Sequence, residues 1–207
     1  MDIANALCKE MEARCKIVAQ DWDGIILHYL LVNMMQLLPQ CLLQKSVKRR
    51  LISLKNMHLF QINLSLKKGT KLVMTKEGLK GVTVGVQRAT THDKYLTDNF
   101  GKGVDLKRYG SFDEAYLDLK AGRIDTVLGD ASALEEGLLN KPGGTEYEFV
   151  GPSLTDPKWF GEGFGIATRK QDKDLTEQLN AAIDSLREKG IYQEIAAKYF
   201  NYDVYGE

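Results

Sequence analysis

Two stretches of the sequence place polar side chains where a small charged molecule could bind. In VGVQRATTHDKY a predicted strand ends near Gln87, and Thr90 and Thr91 open the helix that follows. Hydroxyls and free N–H groups at a helix N-terminus favour an anion. In AGRIDTVLGDASA the predicted strand ends at Asp130, whose carboxylate can bind a cation. Since the carboxyl ends of parallel strands meet at one edge of a sheet, the two stretches together predict a site for a zwitterion.

Each of these residues also has a purely structural interpretation. A threonine at a helix start is often only an N-cap, and an aspartate after a strand often caps the next helix. The placement of both stretches at the ends of strands of one sheet favours binding. The sequence contains no nucleophile elbow and no phosphate loop, and no Ser or Cys is paired with a suitable base. Catalysis is therefore not indicated.

The elements that would hold these residues alternate between strand and helix from residue 81 onward. Strands are predicted at 16–19, 82–87, 104–109, 124–128, 147–150 and 164–168. Helices are predicted at 2–11, from Thr90 or Thr91 toward residue 100, after Ser111, at 131–139, after Asp172 and at 191–200. Ser111 and Glu114 form a capping box, and Asp172 can cap the long helix that follows it. This alternation predicts an α/β fold with a parallel sheet.

Composition narrows the function further. The 207 residues carry 28 basic and 28 acidic side chains, enough chain for one domain or two small lobes. The segment 24–76 contains nine Lys or Arg and no acid, but no basic face with interleaved aromatics appears, so no nucleic-acid partner is expected. The three histidines are scattered and no CxxC pair occurs, so neither a metal site nor a cofactor is predicted.

The three cysteines are Cys8, Cys15 and Cys41. An odd number leaves at least one thiol unpaired or intermolecular, and the pattern does not assign a state to Cys41. An unbroken helix would hold the Cα atoms of Cys8 and Cys15 about 10 Å apart, beyond the ~7 Å limit for a disulfide. If these two residues pair, the helix must end between them.

Neither a leader nor a membrane span is indicated. The start, MDIANALCKEMEARC, lacks the basic region, apolar stretch and cleavage site of a signal peptide, so the chain as it stands is expected to stay in the cytoplasm. Residues 25–43 are mostly apolar, but the stretch contains Asn33 and Pro39, which disfavour a span.

An ordered set of segments resembles the polar amino-acid periplasmic binding proteins of ABC importers, solute-binding family 3, in the lysine/arginine/ornithine- and histidine-binding branch. The segments are DIANALCKEMEARC, QDWDGI, LKGVTVGVQRATT, AGRIDTVLGD, FVGPSLTD, FGEGFGIATRK and IAAKYFNYDVYG. The resemblance implies a type II periplasmic-binding-protein-like fold with two α/β lobes, each a mainly parallel sheet flanked by helices. The lobes would be 1–62 plus 163–207, and 63–162. It also implies a monomeric periplasmic protein, not an enzyme, that delivers an amino acid to a membrane permease.

The resemblance assigns roles to particular residues. Thr91 and the adjacent Thr90 resemble the pair of residues at a helix start that binds the ligand α-carboxylate in this family. Asp130 resembles the residue that binds the α-ammonium group. Gln87 matches a position whose backbone lines the pocket. His92 stands where relatives often carry Gln.

Further roles are implied outside the helix start. Trp22 matches an aromatic residue that stacks on the ligand side chain, where cation–π attraction would favour Lys or Arg, although a role in the core is also open. Cys8 and Cys15 match a disulfide of the branch, which implies an oxidising compartment.

The resemblance fails in the first lobe. The chain begins inside the first helix of the family pattern, and the pattern is lost between QDWDGII and LKKGT. We predict that residues 27 to about 60 are the same gene region read in another frame, because permitted codons in the shifted frame encode the family's strand, serine-rich loop and arginine in the expected order. The first lobe is then incomplete, and ligand binding is expected to be impaired. Two other functions remain open: a dehydratase-type enzyme on the same scaffold with His92 as acid or base, and a membrane-anchored sensory module using residues 25–43.

Overall fold

The structure, a computed structural model, describes residues 1–18, 22, 36–38, 51–53, 62–160 and 165–200. The chain divides into two compact units. Unit 1 comprises Met1–Gln20, Ile25–Leu59 and Glu162–Glu207, and unit 2 comprises Asp21–Gly24 and Phe60–Gly161.

Strands and helices are labelled in chain order. The strands are β1 (Gln36–Leu38), β2 (Leu51–Ser53), β3 (Ile62–Lys67), β4 (Thr83–Gln87), β5 (Asp105–Tyr109), β6 (Thr126–Asp130), β7 (Tyr147–Leu154) and β8 (Gly165–Arg169). The α-helices are α1 (Asp2–Glu10), α2 (Thr91–Phe100), α3 (Phe112–Lys120), α4 (Ala131–Leu134), α5 (Pro157–Phe160), α6 (Lys173–Glu188) and α7 (Ile191–Ala196). A π-helical turn, Glu135–Leu139, continues directly from α4.

Unit 2 contains a five-stranded sheet in the order β5-β4-β6-β3-β7. β4 pairs in parallel with β5 and with β6, as the predicted β4-α2-β5-α3-β6 alternation requires. β3 runs antiparallel to both of its neighbours, β6 and β7. The sheet is therefore mixed, and its parallel half carries the predicted site residues.

Continuous burial explains why β6 lies inside this sheet. All five of its residues, TVLGD, are buried, as expected for a strand covered on both faces. Gly129 leaves space for the Phe112 ring, because a Cβ there would lie 2.8 Å from a ring carbon. The strand that ends at Asp130 is thus held by packing from α3.

The described part of unit 1 packs three helices on a short sheet. β1 and β2 pair antiparallel with β8 on either side of it. Leu7 of α1 joins a core with residues of β8, α6 and α7, which include Ile166, Leu179, Ile183 and Tyr192. Helix α1 ends at Glu10, and Cys8 and Cys15 form a disulfide with Cα atoms 6.0 Å apart. The predicted pairing is confirmed, with the helix ending between the two cysteines.

Several local predictions need correction. Residues 16–18 form no strand. Asp172 lies at the N-cap of α6 without capping it, because its carboxylate accepts a hydrogen bond of 2.6 Å from Arg169 Nε. The segment 131–139 is a short α-helix followed by the π-helical turn, and the last described helix stops at Ala196. In the described part of the chain no helix has the length and apolar character needed to cross a bilayer.

Candidate ligand-binding site at the edge of the unit 2 sheet

Helix α2 begins immediately beyond the carboxyl end of β4. Thr90 is its N-cap: the Oγ1 atom accepts from the Asp93 backbone N–H at 3.2 Å and donates to the Gln87 carbonyl at 2.7 Å. This hydroxyl therefore has one donor and one acceptor partner within the loop. For Thr90 the structural interpretation as a helix cap is correct.

The loop before α2 is held in an unusual conformation. Ala89 has φ of 60°, in the left-handed region that disfavours a residue with a Cβ. The Asp93 carboxylate accepts from the Ala89 N–H at 3.3 Å and from Arg108 Nε at 2.8 Å, which links the loop to β5. Gln87 Nε2 donates to the Gly110 carbonyl at 3.0 Å, which ties the ends of β4 and β5 together. These contacts fix the direction in which α2 leaves the sheet.

Sequence reasoning missed the part played by Asp93 and Arg108. The signal for Asp93 was present, because it stands three residues after Thr90, where acidic residues stabilise a helix start. No local pattern pointed to Arg108, since its contact with Asp93 depends on the parallel pairing of β4 with β5.

Thr91 and His92 occupy the first two positions of α2. Thr91 is 3% exposed and His92 is 0% exposed. A ten-residue helix presents a partial positive charge and N–H groups at this end. The first turn of α2 therefore favours an anionic group.

Asp130 ends β6 and stands at the N-cap position of α4, yet its side chain makes no capping hydrogen bond. The alternative interpretation of Asp130 as a cap is wrong. The side chain is 12% exposed, and its Oδ1 lies 3.8 Å from Nε2 of His92. The structure thus brings the start of α2 and the Asp130 carboxylate together at one edge of the sheet.

Two aromatic rings lie near His92 in addition to Asp130. Its ring centroid is 6.3 Å from that of Phe112 and 6.2 Å from that of Phe160. Burial lowers the pKa of His92 from 6.5 to about 3, so the imidazole is neutral at ordinary pH. His92 has no exposed surface and lies near Asp130 in this structure, and its contact with a ligand stays a prediction.

Trp22 is half-buried and belongs to unit 2, but the residues beside it lie outside the described part of the chain. Its stacking role stays a prediction. Among the described residues no group of three or more His, Cys, Asp or Glu side chains is arranged to hold a metal ion.

The fold and this edge of the sheet define a class of protein. A mixed sheet flanked by helices is the fold of one lobe of a type II periplasmic binding protein. The sequence profile of the bacterial extracellular solute-binding proteins, family 3, matches residues 1–202. This chain belongs to that family.

Two proteins with similar sequences are named for the amino acids that they bind. The L-arginine-binding protein of Pseudomonas aeruginosa is 42% identical over 207 residues, which cover 100% of this chain and 80% of the relative. The lysine/arginine/ornithine-binding periplasmic protein of Escherichia coli is 34% identical over 208 residues, again covering 100% and 80%.

Solved structures show the same fold. A Salmonella typhimurium periplasmic binding protein described for its high arginine specificity superimposes with a TM-score of 0.83 at 28% identity, covering 97% of this chain and 87% of that one. An ancestral arginine-binding protein bound to arginine gives a TM-score of 0.82 at 27% identity, with coverages of 97% and 86%.

Proposed function

We propose that this chain is the solute-binding component of an ABC importer for basic or polar amino acids: lysine, arginine, ornithine or histidine. The described residues proposed for the site belong to unit 2. The first turn of α2, led by Thr91, would receive the ligand α-carboxylate, and Asp130 would receive the α-ammonium group. Relatives named for arginine, lysine/arginine/ornithine and histidine support this ligand class.

The observation that carries the proposal is the state of Asp130. A carboxylate at the N-cap position of a helix normally accepts the first backbone N–H groups. Asp130 does not, and 12% of its side chain stays exposed at the sheet edge. The Asp130 carboxylate lies at the sheet edge beside the first turn of α2 instead, where the ligand ammonium group would meet it.

The remaining assignments follow from the family. Its members are extracellular solute-binding proteins, so we place this protein's work in the periplasm, as a monomer that hands its ligand to a membrane permease. An enzymatic role receives no support: the candidate acid or base, His92, is fully buried and its pKa is lowered to about 3.

We further propose that binding is impaired in this chain. The alignment with the Escherichia coli relative spans 208 positions and all of this chain, which supports replacement of family sequence at 27–60 and not insertion into it. A frame shift that is later corrected replaces a segment and leaves the length of the protein nearly unchanged. The gene sequence across these codons tests the idea, since a base pattern unable to encode a serine-rich loop and arginine one frame over would refute it.

Calorimetry with lysine, arginine, ornithine and histidine tests the impairment. We expect a dissociation constant weaker than micromolar, because replacement of the family sequence at 27–60 removes the serine-rich loop and the arginine as ligand contacts. A micromolar or tighter constant for any of the four would show that binding is not impaired.

Nuclear magnetic resonance detects the weaker binding that the half-site should retain. Arginine titrated into the millimolar range is expected to shift amide resonances of Thr91 and His92 in the unaltered chain. Asp130→Asn should abolish these shifts by removing the charge that meets the ammonium group. Asp98→Asn is the matched control, because Asp98 is an exposed partner of Lys94 on the far part of α2. Equal shifts in both variants would remove Asp130 from the site.

A further inference from the structure

The Asp93 carboxylate, in the first turn of α2, is held at both of its oxygens. Oδ1 accepts from Arg108 Nε at 2.8 Å and from the Thr97 hydroxyl at 3.3 Å, and Arg108 Nη2 donates to that hydroxyl at 2.9 Å. Oδ2 accepts from the Ala89 backbone N–H at 3.3 Å. The side chain of Asp93 is 15% exposed. Charge-assisted hydrogen bonds from several directions fix a carboxylate in one orientation, so Arg108 determines where Oδ2 meets the loop.

The loop residue that meets Oδ2 is in a strained conformation. Ala89 has φ of 60°, which a residue with a Cβ keeps only where the surrounding contacts require it. The preceding residue, Arg88, donates its backbone N–H to the Tyr109 carbonyl at 2.9 Å. Strand β5 therefore anchors the loop through the Tyr109 backbone and, by way of Asp93, through the side chain of Arg108. The position of the first turn of α2 depends on both anchors.

The charge of Asp93 also bears on anion binding. An acidic side chain in the first turn stabilises a helix because it offsets the positive end of the helix dipole. The same negative charge repels a ligand carboxylate at that end. The Arg108 guanidinium, with Nε 2.8 Å from Oδ1, balances this charge, so the helix start keeps a favourable potential for an anion.

We propose that Arg108 is a positioning residue for the ligand α-carboxylate. Through Asp93 it holds Ala89 in the left-handed conformation, and it balances the acidic charge in the first turn of α2. Arg108 stands on β5 beside Val86 of β4 and acts through Asp93, without contacting the ligand. The effect on ligand affinity rests on the proposed function, whereas the control of the Ala89 conformation does not.

Lys107, the neighbour of Arg108 on β5, offers a closely matched control. Its Nζ forms an ion pair of 2.6 Å with Asp118 of α3, and its side chain is 45% exposed compared with 43% for Arg108. Successive residues of a strand point to opposite faces of the sheet. Arg108→Met and Lys107→Met therefore each remove one partly exposed ion pair, but only Arg108→Met removes a contact with α2.

The conformation of Ala89 can be measured on the full chain without a ligand. A residue in the left-handed region brings its own N–H and Hα protons close together, which gives a strong nuclear Overhauser effect between them. We expect a strong effect in the unaltered chain and in Lys107→Met, and its loss in Arg108→Met. A weak effect in the unaltered chain, or an effect that Arg108→Met leaves unchanged, would overturn the inference.

The affinity for arginine, measured from the amide resonance of Thr91, tests the consequence for binding. Arg108→Met should raise the apparent Kd about fivefold, and Lys107→Met should change it by less than about twofold. In an Asp93→Ala background the added change Arg108→Met should alter Kd by less than about twofold, because the partner through which Arg108 acts is absent. An equal effect of Arg108→Met in both backgrounds would show that Arg108 does not act through Asp93.

The outcomes distinguish this inference from the proposed function. If no amino acid shifts the Thr91 resonance of the unaltered chain, the proposed function fails, and the Ala89 signal alone decides whether Arg108 holds the loop. If arginine binds equally well to Arg108→Met and Lys107→Met, the proposed function stands and the positioning role falls. Should Arg108→Met fail to fold, Asp93→Ala removes the same ion pair from the other side and replaces it in the Ala89 measurement, with the same expected loss.

Discussion

Thr90 and Thr91 are neighbours of the same type with different environments. The Thr90 hydroxyl donates to the Gln87 carbonyl and accepts from the Asp93 N–H, so its contribution is to the stability of the loop and of α2. Thr91, one position further, lies within the helix and is nearly buried. The two adjacent threonines thus differ in environment, since Thr90 caps α2 and Thr91 lies in its first turn.

Thr90→Ala should lower the free energy of unfolding by about 1 kcal/mol, the usual loss for an N-cap. Urea denaturation measures this value. Thr70→Ala is the control, because Thr70 is exposed in the turn after β3 and should change stability by less than about 0.5 kcal/mol. Equal effects of the two changes would mean that the Thr90 cap adds nothing.

A substitution at Ala89 is expected to stabilise the protein. Its φ of 60° strains a residue with a Cβ, so Ala89→Gly should raise the free energy of unfolding by about 0.5 to 1 kcal/mol. Ala121→Gly is the matched control, since Ala121 has φ of −81° and should lose stability from the added freedom of the unfolded chain. A loss in both variants would show that the loop bears no strain at Ala89.

At the scale of elements, the π-helical turn after α4 is shaped by Tyr116. The hydroxyl of Tyr116 donates to the Ala133 carbonyl at 2.9 Å, and its ring stacks on Phe112 at 5.9 Å. Gly137 faces this ring so closely that a Cβ would lie 2.4 Å from a ring carbon. The contacts connect the turn after Asp130 to α3, and through Phe112 to His92.

The substitution Gly137→Ala tests whether helix propensity or packing against Tyr116 has the larger effect on the free energy of unfolding. Helix propensity alone favours alanine over glycine by about 1 kcal/mol. The clash with Tyr116 should outweigh this gain, and we expect a net loss of about 1 to 3 kcal/mol in urea unfolding. Gly103→Ala, where an added Cβ meets no atom within 4 Å, should be nearly neutral. A stabilised Gly137→Ala variant would indicate that the Tyr116 ring moves aside freely.

At the scale of the whole molecule, the neutral overall charge conceals two differently composed regions. Nine basic residues and no acid lie between 24 and 76, and the rest of the chain carries the balancing acids. The chain nevertheless matches an arginine-specific binding protein over 97% of its length. The overall fold therefore agrees with the family, while the composition of one segment departs from it.

The stability of the folded chain should depend on pH through His92. The folded state binds a proton at His92 only near pH 3, whereas the unfolded chain binds it near pH 6.5, so unfolding takes up a proton between these values. Stability is then greatest above pH 6.5 and falls as the pH decreases. Between pH 6.5 and pH 5 the loss should be about 1.6 kcal/mol greater in the parent chain than in His92→Gln.

Comparing the parent chain with His92→Gln separates the contribution of His92 to the pH dependence of stability from that of the carboxylates. Asp118, whose pKa is held low by hydrogen bonds from Lys107, Tyr109 and Arg123, also loses its stabilising contribution in acid, but equally in both proteins. Urea unfolding at a series of pH values gives the two curves. Parallel curves would contradict a buried, neutral His92.

Sequence alone was sufficient for β4 to β7, for α2 and α3, and for the residues at the ends of β4 and β6, but it did not predict β3. Their apolar runs are bounded by caps such as Thr90 and the box of Ser111 and Glu114, and these signals act within a few residues. It also placed Cys8 and Cys15 in a disulfide through the resemblance. The predicted strand at 16–19 is wrong at 16–18, the part of it that the structure describes, because a short apolar run does not by itself determine a strand.

The tertiary structure was needed to determine which groups each polar side chain contacts. Whether Asp130 caps its own helix, and whether His92 lies close to that carboxylate, depends on which strands are neighbours in the sheet. Antiparallel β3 next to β6, and the rings of Phe112 and Phe160 around His92, come from chain segments distant in sequence. Burial and electrostatic environment are set by such long-range contacts, and no local pattern of residues encodes them.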